Sequence, residues 1–208
     1  MLSVILWVHV LAGMLSLISG LIVFISRKGD KLHVLLGWLY SFFMFIVFVS
    51  GTYVSVLKDN LFLLLIGFFS FYMVHSGIQV NRFRESGRVG VLDRIFVVFY
   101  ALIFLFIISI SFLVSLKNNW TPAIILAVFG GLGASMSFTD IKIYFLKKEF
   151  SQKALIKDHI GKMCGSYIAA FTAFAVNNIH FIPSIIIWLA PTLFGTLLII
   201  KFSKPYRE

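Results

Sequence analysis

Residues 95–116 read IFVVFYALIFLFIISISFLVSL, twenty-two positions without one charged side chain. A hydrocarbon core of about 30 Å is crossed by about 20 apolar residues in one helix, so this stretch has the length of a membrane span and far exceeds an ordinary strand. Asp93 and Arg94 precede it and Lys117 follows it, marking where water resumes. Moving outward from it in both directions finds six more such stretches: 2–25, 34–57 and 61–80 before it, then 122–145, 160–179 and 183–200 after it. The expected fold is all-α, a polytopic membrane protein with seven transmembrane helices in a single domain over residues 1–208.

Composition agrees. The chain is 60% hydrophobic and 12% charged, with a mean hydropathy of +1.01, where soluble domains have roughly half apolar and a quarter charged residues. A lone cysteine, Cys164, excludes a disulfide-stapled ectodomain. The start Met-Leu-Ser-Val-Ile has no basic region and no small-residue cleavage motif follows, so the first helix is expected to be retained.

The basic residues fall on alternate joints. Arg27, Lys28 and Lys31 follow the first stretch; Arg82, Arg84, Arg88 and Arg94 follow the third; Lys142, Lys147, Lys148, Lys153, Lys157 and Lys162 follow the fifth; Lys201, Lys204 and Arg207 end the chain. Lys58 and Lys117 alone lie at the intervening joints, a split of sixteen to two. The positive-inside rule makes the sixteen-charge side cytoplasmic, which puts the N-terminus outside and the C-terminus inside. The net charge of +10 is thereby assigned to topology and to anionic lipid head groups. Nucleic acid is not an expected partner, because the aromatics lie inside the apolar runs. A homo-oligomer and a partner within a membrane complex both stay open.

Close packing between apolar helices depends on small residues spaced four apart. In the sixth stretch Gly161, Gly165, Ala169 and Ala173 form such a row ending at Asn177, so this helix is expected at the centre, covered by the first and fifth. The second and fourth, rich in Phe, Val and Ile, are expected to face lipid. Trp7, Trp38, Trp120 and Trp188 are expected in interfacial belts, and Pro191 to kink the last helix.

An ionisable side chain inside a span costs at least ~2.5–3.5 kcal/mol on insertion scales, so each one needs a reason. Asp140 lies about five residues, roughly 7 Å, inside the basic end of the fifth stretch. His75 is at similar depth on the third, sharing a face with Tyr72, Ser76 and Gln79, while His33, Asp93 and His159 open the second, fourth and sixth at the same level. His and carboxylate groups gathered so could hold zinc, with His33, Asp140, His159, Asp93 and His75 as candidate ligands; His33 and His159 could instead hold a single b-type haem. The alternative is that His33, Asp93 and His159 cap helices and pair with nearby cations, and that Asp140 bonds Ser or Thr hydroxyls. Toward the opposite face a second polar group comprises His9, Asn177, Asn178 and His180.

Named seven-helix mechanisms can be checked against these residues. The last stretch has no lysine for a retinal Schiff base, and the paired H-x-x-x-H of ceramidase-type and adiponectin-receptor-type hydrolases is absent. His159 and His180 are 21 residues apart, about 31 Å of helix, too far for a two-haem cytochrome. No Walker A or dinucleotide fingerprint occurs.

Two segments carry a family likeness: His9-x-x-x-Gly13 followed by Lys31-Leu-His33-x-x-x-Gly37-x-x-Tyr40, and Asp158-His159-Ile-Gly-Lys-Met163 with Ser166-Tyr-Ile-Ala-Ala-Phe-Thr-Ala-Phe-Ala-Val-Asn177. They resemble the bacterial multi-pass membrane proteins grouped as domain of unknown function 2306, in the form common in Bacteroidetes. The resemblance covers most of the chain and implies a bacterial inner-membrane protein in which the positions of His9, His33, Asp140, His159 and Asn177 recur, with His75 particular to this sequence. It implies no activity. Three functional readings follow from the residues: a metal or haem site that could act on a membrane-borne substrate or carry electrons, a proton- or solute-coupled transporter, and an accessory subunit of a membrane complex.

Overall fold

The computed structural model describes residues 2–146 and 150–206; Lys147, Lys148 and Arg207 lie outside the described residues. Seven helices follow in order: α1 (Leu2–Ile25), α2 (Lys31–Leu57), α3 (Leu61–Ser86), α4 (Val91–Leu116), α5 (Trp120–Tyr144), α6 (Gln152–Asn178) and α7 (Ser184–Ser203), with a closing 3-10 turn. Among the described residues there is no strand. All but α6 are long and apolar enough to cross a membrane. The protein is thus all-helical with the character of a multi-pass membrane protein. The first half of α6 carries Lys153, Lys157, Asp158 and Lys162, which dilute its hydropathy.

The helices overrun the apolar stretches chiefly where the basic residues lie. α3 continues six residues past Val80, α4 begins four residues before Ile95, and α6 begins eight residues before Ile160. Hydropathy marks where lipid would end, whereas the helix ends where its backbone finds a cap. The Asp30 carboxylate accepts from the His33 N–H at 2.7 Å, and the Ser151 hydroxyl accepts from the Ala154 N–H at 3.1 Å. Asp93 reaches back to the Gly90 N–H at 2.7 Å. At the sparsely charged joints, Leu57-Lys58-Asp59-Asn60 and Leu116-Lys117-Asn118-Asn119 end α2 and α4 alike, with Asp59 (φ 47°) and Asn118 (φ 58°) in the left-handed region that these residue types tolerate.

Two compact units divide the chain, Met1–Val74 and His75–Glu208. In the first, α1 lies along α2. A Cβ on Gly51 would stand 3.2 Å from the His9 ring, so this glycine admits the imidazole, whose Nδ1 hydrogen-bonds the Ser50 hydroxyl at 3.0 Å. Phe48 stacks on Phe71 at 4.4 Å and meets Phe68 edge-on at 5.2 Å.

In the second unit α4 packs on α5, α6 on α7, and α5 on α7. The close approaches pair a glycine on one helix with a large side chain on its neighbour. A Cβ on Gly133 would fall 2.2 Å from the Phe104 ring, one on Gly130 would meet Ile107 and Ile108 at 3.0 Å, and one on Gly195 would fall 2.2 Å from Ile168. α4 exposes most of its large side chains, Leu102, Leu105 and Phe112 among them, and keeps one buried face of Val97, Tyr100, Phe104, Ile107 and Ser111, where bulky side chains fill the hollows that the glycines of α5 leave. One expectation is corrected: the row Gly161, Gly165, Ala169, Ala173 does not mark the deepest face of α6. A Cβ on Gly161 meets nothing within 4 Å, and the buried positions are Leu155, Lys162, Ser166, Ala169, Thr172 and Ala175. Trp7, Trp38 and Trp120 are exposed, whereas Trp188 is buried edge-on against Phe129 at 6.1 Å, away from the interfacial place expected of it. α7 runs unbroken through Pro191.

Candidate functional site

The second unit contains charged groups that have no surface. Asp140 on α5 and Lys162 on α6 are both 0% exposed, and the Lys162 ammonium donates to Oδ1 of Asp140. The same ammonium donates to Oδ2 of Asp158, one turn earlier on α6, at 2.6 Å. Oδ2 of Asp140 accepts from the Ser76 hydroxyl at 2.5 Å. Both oxygens of the deepest carboxylate are therefore satisfied, as a buried charge requires.

One stretch of α3 organises the surroundings. Residues three apart on a helix share a face, and Ser76, Gln79 and Arg82 use that spacing to meet the carboxylates of two other helices. Ser76 holds Asp140; Gln79 donates to Oδ1 of Asp93 on α4 at 3.0 Å, and Arg82 pairs with the same oxygen. About 100° around the helix, the Gly77 carbonyl is hydrogen-bonded to Nδ1 of His159 at 2.9 Å. Gly77 also lets α6 come close, because a Cβ there would lie 2.8 Å from the Met163 sulfur and 3.4 Å from Cβ of Lys162. A missing side chain on α3 thus sets the position from which Lys162 reaches its carboxylates.

The last turn of α5 completes the centre. The Tyr144 carbonyl accepts from Nε of Arg94 at 3.2 Å. Its ring packs with Val80, Val97, Ile143 and Leu155, and its hydroxyl is buried without a hydrogen-bond partner.

The residues singled out in the sequence are distributed as follows. Asp140, Asp93 and His159 all join this network, each to a different partner on α3. His75 sits against Phe96 at 4.7 Å and Tyr100 at 6.0 Å. His33 belongs to the first unit, where its Nδ1 is 3.3 Å from the Ser26 hydroxyl. Asn177 and Asn178 are exposed and donate to carbonyls of their own helix, at Ala173 and Phe174; His180 is exposed, and His9 is the partner of Ser50. Among the described residues no group of three or more His, Cys, Asp or Glu is placed to hold a metal ion. Where a cation would bind Asp140, the ammonium of Lys162 is already present.

Sequence reasoning missed Lys162, Asp158 and Tyr144. Lys162 was assigned to the joint after the fifth helix, whereas it lies inside α6 with no exposed surface. The available signal was the spacing of four between Asp158 and Lys162, which puts opposite charges on one helical face. No known family model, curated protein or solved structure matches the chain.

Proposed function

We propose that this is an inner-membrane protein of seven spans, N-terminus outside and C-terminus cytoplasmic, and that its buried ionic centre serves proton-coupled movement of a small solute. The observation that carries this reading is the Lys162–Asp140 pair, fully buried in a unit whose outward side chains include Leu102, Leu105, Phe194 and Leu197. Ionisable groups at membrane depth are costly and mark ion pathways and proton relays. α6 joins the spans in this reading because its Lys162 and Asp158 satisfy each other and Asp140, which lowers the cost of placing them in lipid. The likeness to the domain of unknown function 2306 family belongs to the same proposal. A zinc or haem site is the less favoured reading, since Asp140 is already engaged by Ser76 and Lys162.

Reconstitution tests it. Proteoliposomes with an imposed pH gradient should accumulate or release solute from a mixed metabolite pool, and Asp140→Asn should abolish the gradient-dependent part. Solute movement that ignores the gradient, or survives Asp140→Asn in a folded protein, would sink the reading. The rival is an accessory, structural role. It is favoured by the hydroxyls of Ser137, Ser166 and Thr172, which donate to carbonyls of their own helices. That role predicts subunits that co-purify and no flux at all.

A further inference from the structure

Among the described residues of the second unit every carboxylate already faces a cation. Glu85 pairs with Arg84, Asp93 with Arg82, and Asp140 and Asp158 with Lys162. Arg94 on α4 and Lys142 on α5 have no carboxylate partner among the described residues. Other cations in that position, such as Arg88, stand in polar joints where water solvates them. These two stand among apolar side chains instead.

Both are held along one stripe of α5. Residues three and four apart share a helix face, and Phe138, Lys142 and Phe145 have that spacing. The Lys142 ammonium lies over the Phe138 ring, 4.3 Å from its centroid, and the guanidinium of Arg94 lies 5.9 Å from the centroid of Phe145. Arg94 is fixed further by its Nε, which donates to the Tyr144 carbonyl at 3.2 Å. With Nε engaged, the exposed guanidinium presents the edge formed by its two terminal nitrogens, a fork that matches two oxygens of one phosphate. Leu92, Ile95, Phe138 and Phe145 are all exposed around it. Acyl chains cover such side chains more favourably than water does, and a cation among them calls for an anion that the lipid itself brings.

We propose that this corner of α4 and α5 binds one anionic phospholipid. Its phosphate sits on the terminal nitrogens of Arg94, its acyl chains run along Ile95 and Phe138, and Lys142 is the second cation, which selects an anionic head group over a zwitterionic one. Arg94 is the anchor because α5 fixes its direction. Lys142 has a flexible stem that lets its ammonium leave the Phe138 ring for the head group. A zwitterionic head group carries its own ammonium, which Lys142 repels; phosphatidylglycerol carries none. The site stands whether or not a solute moves through the protein.

Native mass spectrometry of the full chain, titrated in detergent with phosphatidylglycerol or with phosphatidylcholine of identical acyl chains, reads the site. One phosphatidylglycerol should bind ahead of any others and in preference to phosphatidylcholine. Arg94→Gln should weaken that first binding roughly tenfold or more, the scale of losing charge-assisted hydrogen bonds, and Arg94→Lys, which keeps the charge without the fork, should recover only part. Lys142→Gln should narrow the difference between the two lipids, and Arg88→Gln should change neither binding nor preference. The proposal is overturned if the wild type has no preference, if Arg94→Lys binds like the wild type, or if Arg88→Gln weakens the first binding as much as Arg94→Gln. Displacement of the lipid by glycerol phosphate also overturns it, since that marks a site for a free anion. If Arg94→Gln does not fold, Lys142→Gln and the glycerol phosphate competition decide, and an unchanged lipid preference in Lys142→Gln overturns it.

Discussion

An ammonium without exposed surface is tolerable only while carboxylates face it, and Lys162 has two. Removing one partner of a buried pair typically costs ~3–5 kcal/mol, because the remaining charge is stranded, whereas replacing the whole set with neutral groups costs far less. Lys162→Met should therefore be strongly destabilising in mixed-micelle unfolding, and Lys162→Met combined with Asp140→Asn and Asp158→Asn should recover most of the loss. A single variant that unfolds like the wild type would show that the pair is not desolvated. Asp140 was legible in the sequence because a carboxylate interrupts an apolar run. Lys162 was not, for a physical reason: near the end of a run, a lysine is what defines the boundary between lipid and water, so the same charge could not also be seen as lying within. Tyr144 was hidden for a different reason, since tyrosine is common at span ends and only its tertiary surroundings leave the hydroxyl alone.

At the scale of the helix, the row of small residues in the sixth stretch is expected to mark the face covered by its neighbours. In the second unit small residues instead receive large side chains: Gly130 and Gly133 take Phe104, Ile107 and Ile108, Gly195 takes Ile168, and Gly77 takes Met163. The sequence shows which positions lack a side chain but not which neighbour fills the gap, so the existence of close contacts was legible and the partners were not. The difference can be measured. Gly133→Ala puts a methyl 2.2 Å from the ring of Phe104, a residue with no exposed surface, and should cost about 1–3 kcal/mol by overpacking. Gly161→Ala adds a methyl where nothing lies within 4 Å and should be neutral or slightly stabilising through helix propensity. Detergent melting of the two variants checks both; equal behaviour would mean that the α4–α5 interlock is looser than drawn. Helix existence was legible from apolar length alone, while the extra turns at the polar ends of α3, α4 and α6 depended on caps and ion pairs that hydropathy does not register.

For the whole molecule, the distribution of polarity is the reverse of a soluble protein's. Leucine and phenylalanine side chains such as Leu102, Phe112, Leu193 and Phe194 are exposed, while Asp140, Lys162, Ser166 and Thr172 have no exposed surface. Water would penalise such a surface and lipid favours it, which was legible from composition before any helix was drawn. Direction across the membrane rests on the basic residues. Moving Lys162 into α6 leaves fifteen Lys and Arg against Lys58 and Lys117, a bias too large for one reassigned residue to reverse. Single cysteines placed in a Cys164→Ser background provide the test, since the native thiol is only half-buried. Arg88 and Lys117 are both exposed and lie at opposite ends of α4. In intact cells an impermeant maleimide should label Lys117→Cys and leave Arg88→Cys unlabelled until the membrane is opened. The opposite pattern would invert the chain and put the end of α6 that carries Asp158 and Lys162 toward the outer side. Labelling of both from outside would mean that α4 does not cross at all.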